Sequence, residues 1–219
     1  APGDDASADE SALAAVPARR QAVLRASRLG GHGALHWAGD AGRAGELAAL
    51  AAARDPRVTL ALSAEELALL EIEAGTIGAA ELAEARVWNE LDAMSAVSLT
   101  KGCWMGQEIV RRVHVLGEVQ RRRMGIVLET LDGQGWAGAL LQGADGTPAG
   151  VVTRAARSAA LGATIGQAFV RRAAWPAGSP LVAVRGDGAR AAAASAALPF
   201  VQRRGSAAGR PISPPVGTP

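Results

Sequence analysis

Lys101-Gly102-Cys103-Trp104-Met105-Gly106-Gln107-Glu108 contains the chain's only cysteine and only lysine, two residues apart. A thiol reacts as the thiolate, and a nearby cation or helix N-terminus favours that form. In an extended segment residues i and i+2 point the same way, which would place the Lys101 ammonium beside Cys103. Lysine is a compact point charge and arginine a broad planar fork. In a chain with 22 arginines, the one lysine falls next to the one thiol. Gly102 and Gly106 remove bulk and admit positive-φ turns, while Gln107 and Glu108 add an amide and a carboxylate. This pattern suits a loop that presents one sulfur to a ligand or a partner. A buried, inert cysteine in a turn is the alternative, equally open on spacing alone.

Other constellations are weaker. His32 and His36 have the four-residue spacing of a helical metal site, but GHGALHWAG reads as strand and turn, where that spacing builds no zinc face. His114 lies eleven residues beyond Cys103 and is a candidate base for it, with no evident Asn or Asp partner. Gly75–Gly78 and Asp132–Gly135 are glycine turns that lack a phosphate-loop lysine. Arginines clump at 111–112, 121–123, 171–172 and 203–204. Such clumps are usually solvated faces, and phosphate or nucleic acid is the minority reading, since no aromatics interleave with them. Trp37, Trp88, Trp136 and Trp175 read as core or rim packing.

The elements that must carry the octapeptide follow from pattern. Residues 1–20 read as a polar tail, acidic over 1–10. Residues 11–28 suit a helix, with Pro17 as a break or first-turn residue. Gly33–Ala38 suits a strand, 43–54 a helix ended by Asp55-Pro56, and Arg57–Leu62 a strand. Ser63 with Glu66 forms a capping box, opening a helix with a buried stripe at Leu67, Leu70 and Ala74, flanked by Leu69 and Ile72. Gly75 closes it. A loop-rich segment, 76–100, leads to the motif, and Ile109-Val110 begins a helix or strand. From about residue 117, β-prone runs alternate with glycine turns: 124–128, 139–142, 150–154, 166–171 and 181–185. Five runs at this spacing predict a small antiparallel barrel. Residues 203–219 read as an extended tail.

Composition bounds the rest. The chain is 49% hydrophobic, enough for a core, but much of that is alanine, so the core should be thin. One cysteine excludes an internal disulfide and fits a reducing compartment. No apolar run approaches the about 20 residues that span a bilayer, and no apolar signal core follows the start, so neither membrane insertion nor secretion is expected.

KGCWMGQEIVRRVHVLGEVQRR resembles the signature of the YgfZ-type family, K-G-C-Y-x-G-Q-E, a branch of the glycine-cleavage T-protein (aminomethyltransferase) superfamily. Asp55-Pro56-Arg57, Leu70–Gly75 (LEIEAG), Asn89-Glu90-Leu91-Asp92, Gly150-Val151-Val152 and Leu198-Pro199-Phe200 resemble further family segments, in the same order. The resemblance covers roughly residues 55–202. It departs in Trp104, which stands for the usual tyrosine, and in a shortened N-terminal domain.

The resemblance implies an α+β fold. Residues 21–116 would form an incomplete aminomethyltransferase-like, ferredoxin-like α/β folate-binding segment, and 117–202 a six-stranded-type C-terminal antiparallel β-barrel. By position, Cys103 would be the functional thiol and Lys101 its charged neighbour. Gly102, Trp104, Gly106, Gln107, Glu108, Arg111 and Arg112 would shape the cofactor site. The implied function is a tetrahydrofolate-binding factor for iron–sulfur cluster assembly or repair, outside the usual enzyme classes. It would touch a cluster transiently, with assembly proteins or client apoproteins as partners, in the mitochondrial matrix or a bacterial cytoplasm. Two alternatives stay open: a non-catalytic structural subunit of a large complex, and a folate-dependent aminomethyltransferase.

Overall fold

The computed structural model describes residues 21–25, 34–38, 62–83 and 86–201, together with helical positions 45, 49 and 53. The chain divides into two compact units with a boundary near residue 61. In the first, β1 (Gln21–Arg25) pairs antiparallel with β2 (Ala34–Ala38), Val23 standing opposite His36. Of the helix expected over 11–28 only residues 21–25 are described, and there it is corrected: QAVLR is a strand, because a ladder partner nine residues on outweighs the mild helical preference of Ala, Leu and Arg. The strand expected at Gly33–Ala38 is β2. Positions 45, 49 and 53 are helical, in line with the expectation over 43–54. The tails and Arg57–Ala61 lie outside the described residues.

The second unit opens with α1 (Ala64–Glu73). Ser63 caps it as expected: its hydroxyl accepts from the Glu66 N–H at 3.1 Å, and the Glu66 carboxylate accepts from the Ser63 N–H at 2.8 Å. Its end is a Schellman turn. Thr76 N–H donates to the Glu71 carbonyl, Gly75 N–H donates to that of Ile72, and Gly75 takes φ +67°. The expected buried stripe is displaced. Glu71, Ile72 and Glu73 are the buried positions, while Leu67, Leu69 and Leu70 are only half-buried. The carboxylates are buried because partners meet them there. Ser158 donates to Glu73 at 2.7 Å, and Arg154 reaches Glu71 at 3.1 Å. A single turn, α2 (Ala79–Leu82), follows; then come a connecting segment with one 3-10 turn at Met94–Ala96 and α3 (Gln107–Leu116), which takes in the last two residues of the motif.

The barrel comprises β3 (Arg121–Leu128), β4 (Leu140–Gln142), β5 (Pro148–Ser158), β6 (Ala163–Arg171), β7 (Pro180–Val184) and β8 (Arg190–Ala196), closed in the order β3-β6-β5-β4-β7-β8 with all neighbours antiparallel. Closure removes every free edge. Alternation sorts β3 cleanly: Met124, Ile126 and Leu128 enter the core, while Arg121, Arg123 and Val127 face out. Inside, large chains from β3, β4 and β5 meet alanines 183, 191 and 193 from β7 and β8. That pairing of large with small fits a narrow interior. A bulge at Thr153 turns Arg154 outward, toward α1 and α2.

The outer face of β3 and β6 is covered in turn. Ile72, Ile165 and Phe200 form one small cluster, and Leu91, Ala93 and Phe169 another. Phe200 and Val201 N–H groups both donate to the Glu73 carbonyl, fixing the closing segment on α1. Gly125 admits this packing, since a Cβ there would meet Phe200 Cζ at 2.6 Å.

Candidate functional site

The octapeptide supplies most of the loop between Ser98 and α3 and, with Gln107 and Glu108, the first residues of that helix. Ser98 organises its entry: its hydroxyl accepts from the Lys101 N–H at 3.2 Å, and its carbonyl accepts from the Trp104 indole at 3.3 Å. At the exit, the Gln107 amide oxygen accepts from the Trp104 N–H at 3.3 Å, and the Gln107 N–H donates back to the Trp104 carbonyl at 3.1 Å. Gly106 precedes the helix at φ +88°, a conformation costly for any residue with a Cβ. Val110, 3% exposed, anchors α3. Trp104 and Gln107 are half-buried, so the two polar side chains that shape the loop are those that hold it.

Lys101, Gly102, Cys103, Met105, Glu108, Arg111 and Arg112 are exposed. A Cβ built on Gly102 meets nothing within 4 Å, so that side of the loop faces open space. Glu108 and Arg112 pair at 3.3 Å across one helical turn, both in solvent, which is worth little. The loop thus leaves Cys103 exposed between Gly102 and the half-buried Trp104.

Two concave surfaces lie on the same unit. The smaller, about 250 Å³, sits at the C-terminal end of α3 and is lined by Asn89, Asp92, His114, Arg122 and Trp175. Asp92 holds φ +55° there, and among the described residues the buried Asn89 Oδ1 has no hydrogen-bond partner. Arg122 stacks on Trp175, its guanidinium carbon 4.5 Å from the ring centre. His114 therefore faces this hollow and Cys103 does not line it. The larger cleft, about 850 Å³, runs along the barrel beside α2. Residues 101–108, 111 and 112 line neither. Sequence reasoning named Asn89 and Asp92 only as part of a family segment. Nothing local in an Asn or an Asp signals an orphaned oxygen or a positive φ.

Between residues 75–92 and the barrel lies a buried polar layer. Arg123 donates to the Leu91 carbonyl (2.9 Å), the Gly75 carbonyl (2.7 Å) and the Gln167 amide oxygen (2.9 Å). Burial pulls its pKa below the ordinary arginine value, opposed by Glu81 and Asp92. Glu81, wholly buried, accepts from Arg154, Thr153 and the Gly78 N–H. This layer fixes the 76–92 segment on the barrel.

Residues 121–202 match the family model described as the glycine cleavage T-protein C-terminal barrel domain. Among solved structures, the glycine cleavage system aminomethyltransferase T from Bartonella henselae shares the fold, with a TM-score of 0.64 and 22% identity over 84% of this chain and 50% of that one. The chain thus spans about half the length of that protein. No curated protein matches the sequence. The fold is aminomethyltransferase-like, with the T-protein type of C-terminal barrel. No helix among the described residues is long and apolar enough to cross a membrane.

Proposed function

We propose that this chain is a YgfZ-like factor for iron–sulfur cluster assembly or repair, with Cys103 as the thiol that touches a cluster or a maturing client. The observation that supports it is the exposure of Cys103 on a loop tied down on both sides, by Ser98 and by Gln107. A sulfur so placed can meet a protein-borne partner without unfolding of its own host. Lys101 adds an exposed positive charge that favours approach of anionic clusters or acidic client surfaces. The reading places the chain in a reducing compartment, the mitochondrial matrix or a bacterial cytoplasm.

Tetrahydrofolate belongs to the family resemblance, but the described residues fit it incompletely. The Asn89 oxygen is an unfilled acceptor that would suit a ring N–H. The residues 101–108 form an open loop rather than a wall of either cleft. A ligand of that size held by the loop alone would lie mostly in water, so no step of this proposal runs through it.

The test replaces Cys103 with alanine in cells. Aconitase and lipoate synthase activities should fall while the protein's abundance holds; unchanged activities would reject the reading. One observation favours a second reading, a non-catalytic subunit of a larger assembly. Met105, Ile109 and Leu116 are 98%, 59% and 82% exposed along the loop and α3, an apolar row suited to a protein neighbour. Under that reading the chain co-purifies stoichiometrically with a large particle and is indifferent to Cys103→Ala.

A further inference from the structure

The larger cleft has an arrangement that barrel folding alone does not require. Its geometry follows from strand register. On the outer face, Phe169 of β6 stands beside Val151 of β5, which stands beside Leu140 of β4. This cross-strand row forms an apolar floor; Val151 and Leu140 are 43% and 54% exposed. Two residues along the same face, where side chains point the same way, Arg121 of β3 stands directly opposite Arg171 of β6. Arg172 follows on the same rim, and Arg86 lies over the Phe169 ring, 3.7 Å from its centre.

Like charges placed directly opposite on antiparallel strands destabilise the pair. The fold tolerates this pairing with only partial neutralisation. Glu90 serves Arg121 at 3.2 Å and also lies near Arg86, and Glu118 pairs with Arg172. Arg171 has no carboxylate partner among the described residues. Among the described residues, Arg121, Arg171 and Arg172 stand against Glu118 and a Glu90 that Arg86 shares, which leaves a positive excess on one wall of a cleft whose floor is apolar.

We infer that this cleft binds a small organic oxyanion, a phosphate or carboxylate carried on an apolar body. The anion would lie between Arg121 and Arg171, and the body on Val151 and Leu140. The chemistry is complementary at both ends. Guanidinium forks bind oxyanions with two parallel hydrogen bonds, and a cleft of about 850 Å³ is of the size that encloses small ligands. An anion there also removes the repulsion between the paired arginines. The site shares no residue with the thiol loop and stands whether or not the cluster-assembly reading holds.

The experiment titrates the full chain with phenyl phosphate, benzoate, inorganic phosphate and phenol, followed by amide and arginine Nε–H shifts in 15N spectra. Phenyl phosphate or benzoate should saturate with shifts at Val151, Arg121 and Arg171. The tighter of the two names the anion. Inorganic phosphate and phenol, each lacking half of the match, should bind at least about tenfold more weakly. Arg171→Gln and Leu140→Asp, both at exposed positions, should each weaken binding by about tenfold or more while spectra elsewhere stay unchanged. Binding that both variants leave intact, or no saturable shift at these residues, overturns the proposal. So does binding of a single-stranded oligonucleotide at these arginines without any response to phenyl phosphate.

Discussion

Arg154 and Glu81 meet as a buried ion pair, Nη2 to Oε2 2.9 Å, although 73 residues separate them. The pair joins β5 of the barrel to the turn of helix at Ala79–Leu82. The same guanidinium reaches Glu71 at 3.1 Å and the Thr76 carbonyl at 2.5 Å. One arginine therefore holds α1, α2 and the coil between them.

Removing Glu81 takes from Arg154 its wholly buried carboxylate partner and leaves its charge to be met by Glu71. Glu81→Ala should destabilise the protein by about 3–5 kcal/mol, read from urea unfolding. The double change Glu81→Leu with Arg154→Met should recover part of that loss, because it removes both charges of the pair, while it also takes the arginine away from buried Glu71. Failure of the double change to recover stability would mean that the lost bonds to Glu71 and Thr76 matter more than the pair itself.

Arg123→Lys keeps the charge and loses the fork. The three acceptors at Leu91, Gly75 and Gln167 cannot all be reached by one ammonium. The expected cost is about 2–3 kcal/mol, with the largest gain in amide exchange over residues 75–92. Uniform change across the barrel would contradict this.

Two glycines should differ sharply. At Gly150 a Cβ would drive into the Phe169 carbonyl on the neighbouring strand, and that backbone cannot yield without breaking the ladder. Gly150→Ala should cost about 2–3 kcal/mol. Gly102→Ala, which meets nothing, should fall within about 0.5 kcal/mol of the parent. Thermal melts of both variants check the contrast.

The acid limb of stability should trace to exposed turn and cap carboxylates. The Ser63 N–H and hydroxyl hold Glu66 below its ordinary 4.5; the Thr147 hydroxyl and N–H hold Asp145, and the Ala189 N–H holds Asp187, below 3.8. A carboxyl depressed in the folded state contributes stability above its unfolded pKa and loses it as pH falls through the folded one. Stability should therefore drop as pH falls below these ordinary values. The triple change Glu66→Gln, Asp145→Asn, Asp187→Asn should flatten the curve there and leave its slope near neutrality unchanged.

Cys103 should react in the native state. One equivalent of thiol should be titrated by a disulfide reagent at neutral pH without denaturant, at a rate unaffected by mild urea. A rate that tracks unfolding would place the sulfur out of reach and remove the support for the cluster-assembly reading.

Short-range chemistry was legible in the sequence. The Ser63–Glu66 box, the Gly75 turn and five of the six barrel strands all rest on bonds or alternation within a few residues, and each is present in the structure. The sixth strand, β8, was not among the expected runs, because RAAAASA has helix-forming composition. It is a strand because β7 and β3 offer it ladders on both sides. The conjunction of the sole thiol and the sole lysine is likewise a property of the sequence alone.

Tertiary structure decided what no window could contain. Glu71 and Glu73 lie off the stripe expected at Leu67, Leu70 and Ala74, and Glu81 lies in the segment that reads as loop-rich, yet all three are buried because Arg154 and Ser158 arrive from the barrel to neutralise or bond them. Arg121 and Arg171 stand fifty residues apart in sequence and face each other only through the β3–β6 register. Local propensity is set by neighbours along the chain. Burial of charge and the shape of a cleft are set by neighbours across it, and a sequence names those only once the strands have closed.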